Sequence, residues 1–364
     1  MKFTFTFLFP LIIACFSKAD QQNSTDISDV LLRFKQKISS SFKIVNGTIA
    51  NFKEFPYAVF IYADLDDSGY ACTGSLIGKG VIMTAAHCLY DDLGFKTRAS
   101  SIYVSVGSAS NILGNPNIYK ASLTIPHQRF SYRSLGNDIG LIRYVPSSFG
   151  SSSYAKIYSS KVSDDLPAKA AGWGVTSNDD IDSDDNLPPD LLMSTPIQIS
   201  SSNICSTLYS PWTSNDGNQI CTTIVDGQDT CFGDSGGPLA YSGVTPMPII
   251  GITSFGLSES YDPASKKKFK CGSVDGVGFY THAINYIDWI SDNTGIDKKN
   301  LIYYDSAVNQ SSDEEQDAFI SPSDDPEISV SVKSVYPQIN SSALPPFNYF
   351  ISFFTLIISI IYLV

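Results

Sequence analysis

The stretch Thr230–Pro238 reads T-C-F-G-D-S-G-G-P, and far upstream Thr84–Cys88 reads T-A-A-H-C. A serine hydroxyl is a poor nucleophile at neutral pH, so attack on an amide needs an adjacent general base and a third group that fixes the tautomer of that base. Ser235, His87 and Asp138, the last within N-D-I-G-L at Asn137–Leu141, are residues of the types that fill those roles. Negative charge then develops on the attacked oxygen, and donors already in place stabilise it best. The backbone N–H groups of Gly233 and Ser235 suit that task. Asp234 has no part in such a triad. A use for it is offered by K-I-V-N-G at Lys43–Gly47, where cleavage after Lys43 would expose a new α-amino group on Ile44.

In these motifs the chain resembles a trypsin-type member of the chymotrypsin family from about Ile44 to Gly295. G-W-G at Gly172–Gly174, S-F-G at Ser254–Gly256 and G-F-Y-T at Gly278–Thr281 recur in the order of that family, and His, Asp and Ser follow the chymotrypsin order. The resemblance implies an all-β fold: two packed six-stranded antiparallel barrels with a C-terminal helix and the catalytic cleft between the barrels. It also implies a zymogen in which the freed Ile44 ammonium turns inward to pair with Asp234, since a buried charge must be paired. The residue six before the nucleophile, Asp229, would then lie at the base of the specificity pocket and select Lys or Arg. Its alternative is a solvated turn aspartate in D-G-Q-D. Gly256 and Gly278 match the two wall positions that must stay small, and Thr230 offers a hydroxyl beside Asp229. Ser254 and Gly256, with Phe255 between them, would pair with substrate backbone as an added strand. Gly140 stands where the family more often has alanine. His127 and His282 read as structural.

Of seven cysteines, Cys15 falls in the N-terminal hydrophobic stretch, which leaves six. Six cysteines allow fifteen connectivities; the resemblance implies Cys72–Cys88, Cys205–Cys221 and Cys231–Cys271. Such usage suits an oxidising compartment, and no C-x-x-C or paired-His spacing points to a metal. No cofactor and no nucleic-acid partner are expected. Residues 1–19 read as a signal peptide with S-K-A before the cleavage point. Residues 20–43 read as an activation propeptide, polar apart from L-L-R-F and without cysteine, so activation would release it. Asn23, Asn46, Asn309 and Asn340 lie in N-x-S/T sequons.

Short apolar runs bounded by Gly, Ser, Asn and Pro predict strands near Tyr57, Ile102, Gly140 and Pro248, and A-I-N-Y-I-D-W-I predicts a helix from Ala283. Two loops exceed a minimal family member. Asn178–Asp190 carries six aspartates, and Leu257–Lys270 ends in K-K-K-F-K. Beyond the domain at 44–295, residues 296–342 read as an acidic disordered stalk; from Asp297 to Ser342 nine acidic residues face three lysines. Residues 343–364 close the chain with a hydrophobic run. At helical rise Phe350–Val364 spans about 22 Å, short of the roughly 30 Å hydrocarbon core. With small residues upstream it resembles a GPI-attachment signal, with Asn340 or Ser341 as the attachment residue. A transmembrane tail and a tail removed by proteolysis are the alternatives.

The expectation is therefore a serine endopeptidase of the secretory pathway, extracellular and cell-surface anchored. Its partners are protein or peptide substrates with Lys or Arg before the cut bond, an activating protease unless it activates itself, and a membrane reached through the lipid anchor or helix. The competing class is a binding protein built on a protease fold; the complete triad and intact G-D-S-G-G argue against it.

Overall fold

The computed structural model describes residues 27–35, 47–65, 68–146, 153–174, 188–260 and 270–304. The signal peptide, Lys43, Ile44, the sequons at Asn23, Asn46, Asn309 and Asn340, Ser341 and the hydrophobic segment 343–364 lie outside the described residues. So do most of the Asn178–Asp190 loop, the lysine cluster before Lys270 and the stalk beyond residue 304. Among the described residues, no helix is long and apolar enough to cross a membrane.

Residues 27–35 are helical and are denoted α1. After β1 (Thr48–Ile49), the first barrel is made of β2 (Ala58–Asp64), β3 (Gly69–Gly78), β4 (Val81–Thr84), β5 (Ile102–Val106), β6 (Ile118–Pro126) and β7 (Gly140–Tyr144). It closes in the order β2-β3-β4-β7-β6-β5, every pairing antiparallel. Closure leaves no strand edge unpaired. Its interior is apolar, with Val59, Ile61, Ile82, Val104 and Ile142 fully buried.

The second half begins with β8 (Ile157–Tyr158), β9 (Ala168–Gly172), β10 (Met193–Ile199) and the short helix α2 (Asn203–Leu208). It continues with β11 (Gln219–Thr223), β12 (Pro238–Tyr241), β13 (Ile249–Ser258) and β14 (Gly276–His282). The run β12-β9-β10-β11-β14-β13 returns to β12 through the β12–β13 pairing, a second closed six-stranded antiparallel barrel. The two-barrel architecture expected from the resemblance is the one observed. The expected helix starts later than Ala283: Ala283–Tyr286 is a 3₁₀ turn, and α3 runs Ile287–Thr294. Gly295 caps it at φ +74°, a left-handed conformation that glycine adopts without strain.

Two expected boundaries shift. The fold does not stop at residue 295: α4 (Lys298–Leu301) is capped by the Asp297 carboxylate, and β15 (Ile302–Tyr303) adds in parallel to β8. Leu301 is fully buried, and Ile296 packs against the core in the space that a side chain at Gly78 would need. A stretch with this much apolar contact is part of the domain, so residues 296–304 do not belong to the expected stalk. At the other end, α1 buries Val30 and Phe34 completely, so the apolar L-L-R-F of the otherwise polar propeptide is packed on the domain.

Candidate active site

His87 opens a 3₁₀ turn directly after β4, and the turn is pinned to β3 by the Cys72–Cys88 disulfide. At the start of that turn the His87 N–H has no partner within the turn itself. It donates to Asp138 Oδ1 at 2.9 Å, while His87 Nδ1 meets Asp138 Oδ2 at 2.7 Å. Asp138 is presented just before β7 by Asn137, which holds φ +56°. Asparagine tolerates that left-handed conformation, so the N-D pair is a turn with a purpose. The Gly140 departure has a local reason: a methyl there would strike Leu89.

Asp138 is completely buried, yet its pKa is lowered. Burial pushes it up, and the His87 charge and the hydrogen bonds from His87 and Ser254 outweigh that push. His87 is pushed down by burial, but the Asp138 charge and hydrogen bond win and its pKa lies above the ordinary 6.5. The pair is built to hold an imidazolium. A neutral His87 in this setting donates from Nδ1, which leaves Nε2 free to accept a proton.

Ser254 contributes more than the backbone role read from S-F-G. Its hydroxyl donates to Asp138 Oδ2 at 2.5 Å. The register between β13 and β14 slips at this point, with Thr253 opposite Tyr280 and Phe255 opposite Phe279, so Ser254 is the extra residue of a bulge. Bulges re-aim a side chain, and here the hydroxyl is aimed at a carboxylate of the other barrel. Nothing in the sequence marks a bulge. The Phe255 ring leaves the site and stacks on Phe279 at 4.9 Å.

The Ser235 loop lies against the His87 turn. The Ser235 carbonyl accepts from the Thr73 N–H at 2.8 Å, and the Cys88 sulfur is 3.5 Å from the same oxygen. Among the described residues no hydrogen bond joins the Ser235 hydroxyl to His87. Gly233 holds φ +101°, a conformation open only to glycine. Its carbonyl accepts from Thr73 Oγ1 at 2.9 Å, and that hydroxyl also receives the Trp173 N–H at 3.3 Å. Thr73 thus ties together both sides of the nucleophile loop, a role the sequence did not signal.

Asp234 is fully buried with two donors, the N–H groups of Gly174 and Cys231, both at 2.8 Å. The glycines of G-W-G are required by this contact: a Cβ at Gly172 or Gly174 would collide with the Asp234 carboxylate. Burial pushes the Asp234 pKa up to about 7 despite those donors. No cation pairs with it among the described residues.

The D-G-Q-D segment separates its two aspartates. Asp226 and Gly227 both have positive φ, and the Gln228 N–H returns to the Val225 carbonyl at 2.9 Å. That is a tight hairpin turn, and Asp226 is its exposed member. Asp229 is 6% exposed, held by the N–H groups of Thr230 at 2.8 Å and Gly272 at 2.9 Å. Burial pushes its pKa up to about 6, and those two N–H groups hold it from rising further. Thr230 turns its hydroxyl to Tyr280 at 3.1 Å. Gly256 and Gly278 face each other across β13 and β14. The Cys231–Cys271 disulfide ties the Asp229 loop to the segment that supplies Gly272, and Cys205–Cys221 braces α2 against β11.

The trypsin family model matches residues 44–290. This chain belongs to the trypsin family. It is 31% identical to serine protease 1 of Drosophila melanogaster over 255 residues, covering 70% of this chain and 86% of that one. Trypsin of Sus scrofa is 30% identical over 260 residues, covering 68% of this chain and 94% of the relative. The solved structure of HL collagenase superposes with a TM-score of 0.55 at 27% identity, covering 70% of this chain and all of the other. The protein is a trypsin-like serine protease with three disulfides. The remaining histidines serve the fold: His127 packs against Tyr286 and Trp289, and His282 Nδ1 meets the Gly217 carbonyl at 3.1 Å.

Proposed function

We propose that this protease is an endopeptidase made as a zymogen and that it cuts after Lys or Arg. His87 Nε2 takes the Ser235 proton as Oγ attacks the carbonyl, then delivers it to the leaving amine; a water activated in the same way frees the acyl group. Asp138 holds the imidazolium. The N–H groups of Gly233 and Ser235 receive the developing oxyanion.

The observation that carries the specificity is the state of Asp229. A buried carboxylate with two backbone donors and a pKa raised to about 6 has no cation beside it among the described residues. A lysine or arginine side chain supplies one, and an apolar side chain does not. Asp234 supports the activation step by the same reasoning: it is buried, raised to about 7 and suited to an ammonium delivered by Ile44 after cleavage at Lys43. The C-terminal anchor is a reading of residues 343–364 from sequence alone, and it places the enzyme at the cell surface.

The test uses peptides matched except for Arg, Lys, Phe or Ala before the cut bond, and protein cleaved after Lys43, with Ser235→Ala alongside. Hydrolysis confined to Arg and Lys and lost in the variant supports the proposal. Equal hydrolysis after Phe removes the role given to Asp229.

A further inference from the structure

The helix α1 precedes the Lys43 bond, on the side expected to leave at activation. Its Val30 and Phe34 are four residues apart, hence on one face, and both are 0% exposed. Ile27 and Leu31 pack against the same core, while Leu32 is 56% exposed. Phe34 stands edge-on to Tyr62 at 4.8 Å and to Phe60 at 6.0 Å. These two β2 residues share one face of the strand by its two-residue period. At the end of the strand, Arg33 Nε donates to Asp64 Oδ2 at 2.8 Å.

The burial of β2 shows the same contact from the other side. A barrel strand needs only its inner face covered, yet β2 is buried at both faces from Ala58 to Ala63. On the outer face Phe60 meets Trp173 at 5.6 Å as well as Phe34, and Tyr62 meets Phe34. Removing α1 would expose large aromatic surface on the catalytic unit. A helix this short does not persist alone in water, so its order depends on the seat on β2.

We propose that α1 is a permanent part of the protease, retained on β2 after cleavage at Lys43 as a second, non-covalently bound chain. The proposal rests on reading Lys43 as the activation site. It replaces the expectation that a propeptide without cysteine is released, because the aromatic seat takes the place that a disulfide would otherwise fill. The occupant is specific: an amphipathic helix with an aromatic residue four positions after a branched one and an arginine placed for Asp64. Docking also holds Arg33 within the helix with its Nε on Asp64, which protects a peptide bond that a trypsin-like enzyme would otherwise cut, whereas Lys35 at the helix end is exposed.

The experiment cuts the full chain after Lys43 and follows the N-terminal peptide by size exclusion with mass detection, in native buffer and in denaturant. A second version carries a unique site for an unrelated protease within residues 38–42 and is cut there. The peptide is expected to travel with the catalytic chain in native buffer and to separate in denaturant, uncut at Arg33. Phe34→Ala is expected to weaken retention about a hundredfold or more, and the milder Val30→Ala about tenfold. Leu32→Ala should change nothing. Release from the wild-type chain in native buffer after either cut overturns the proposal, as does retention unaffected by both Phe34→Ala and Val30→Ala. If Lys43 is never cut but the peptide stays bound after the engineered cut, the activation reading fails and the retained helix stands.

Discussion

Three aspartates are buried around this site, and they differ in how completely they are satisfied. Asp138 receives two contacts from His87 and one from Ser254, and its pKa is depressed. Asp234 and Asp229 each receive two backbone N–H groups, and they rise to about 7 and about 6. Burial is nearly the same in all three, so the difference comes from the partners. The comparison teaches that a finished carboxylate belongs to machinery already in place, whereas an under-satisfied one marks where a cation is to arrive. Under the proposed function, the cation for Asp234 comes from this chain and the cation for Asp229 from the substrate.

The largest expected effect falls on the finished carboxylate. Asp138→Asn keeps the shape but favours the wrong tautomer of His87, and should lower kcat/KM by about four orders of magnitude on every substrate. Steady-state kinetics with Arg and Lys peptides checks that the loss is uniform. By contrast, Asp229→Ser should cost about two to three orders of magnitude on Lys and Arg peptides and little on a small acylating reagent. Uniform loss there would erase the distinction between the two carboxylates.

Ser254→Ala removes a single charge-assisted bond and should lower kcat about tenfold to a hundredfold while leaving KM for Arg peptides nearly unchanged. In the cleaved wild-type enzyme, kcat/KM should rise with pH through a value above 6.5, because only neutral His87 acts as the base and its pKa is raised.

A further effect is on stability, and its sign differs between the two kinds of carboxylate. The folded state holds the Asp234 proton more tightly than the unfolded chain does. Its contribution is therefore present below pH 3.8 and declines as pH rises towards about 7, by a few kcal/mol in the uncut protein. Asp138 contributes in the opposite sense: its stabilisation is present above the unfolded value and lost as pH falls through its depressed pKa. Denaturant unfolding of Asp234→Asn and wild type from pH 8 down to below 3.8 separates the two, since the variant should lose only the first dependence.

Much of this was legible in residue types and order. G-D-S-G-G, T-A-A-H-C and N-D-I-G-L fix local turns, and local turns carry short-range geometry such as φ +101° at Gly233 and φ +56° at Asn137. The runs at Ile102 and Gly140 became β5 and β7 because period and β-branching act over a few residues. What was not legible depends on distant partners. The Ser254 bulge is a mismatch between β13 and β14, and the Thr73 hydroxyl works on Gly233 and Trp173, far along the chain. The same holds at the ends of the domain. D-V-L-L-R-F and N-L-I-Y look like polar-flanked fragments until β2 and β8 supply the surfaces that bury Phe34 and Leu301.

The most direct measurement is a carboxylate NMR titration of aspartate-labelled protein before and after cleavage at Lys43, with Asp234→Asn to assign the signal. A resonance titrating near 7 in the uncut chain is expected to fall below the ordinary carboxylate range once the Ile44 ammonium is free to pair with it. An Asp234 signal still titrating near 7 in cleaved, active enzyme would contradict the pairing on which the activation mechanism depends.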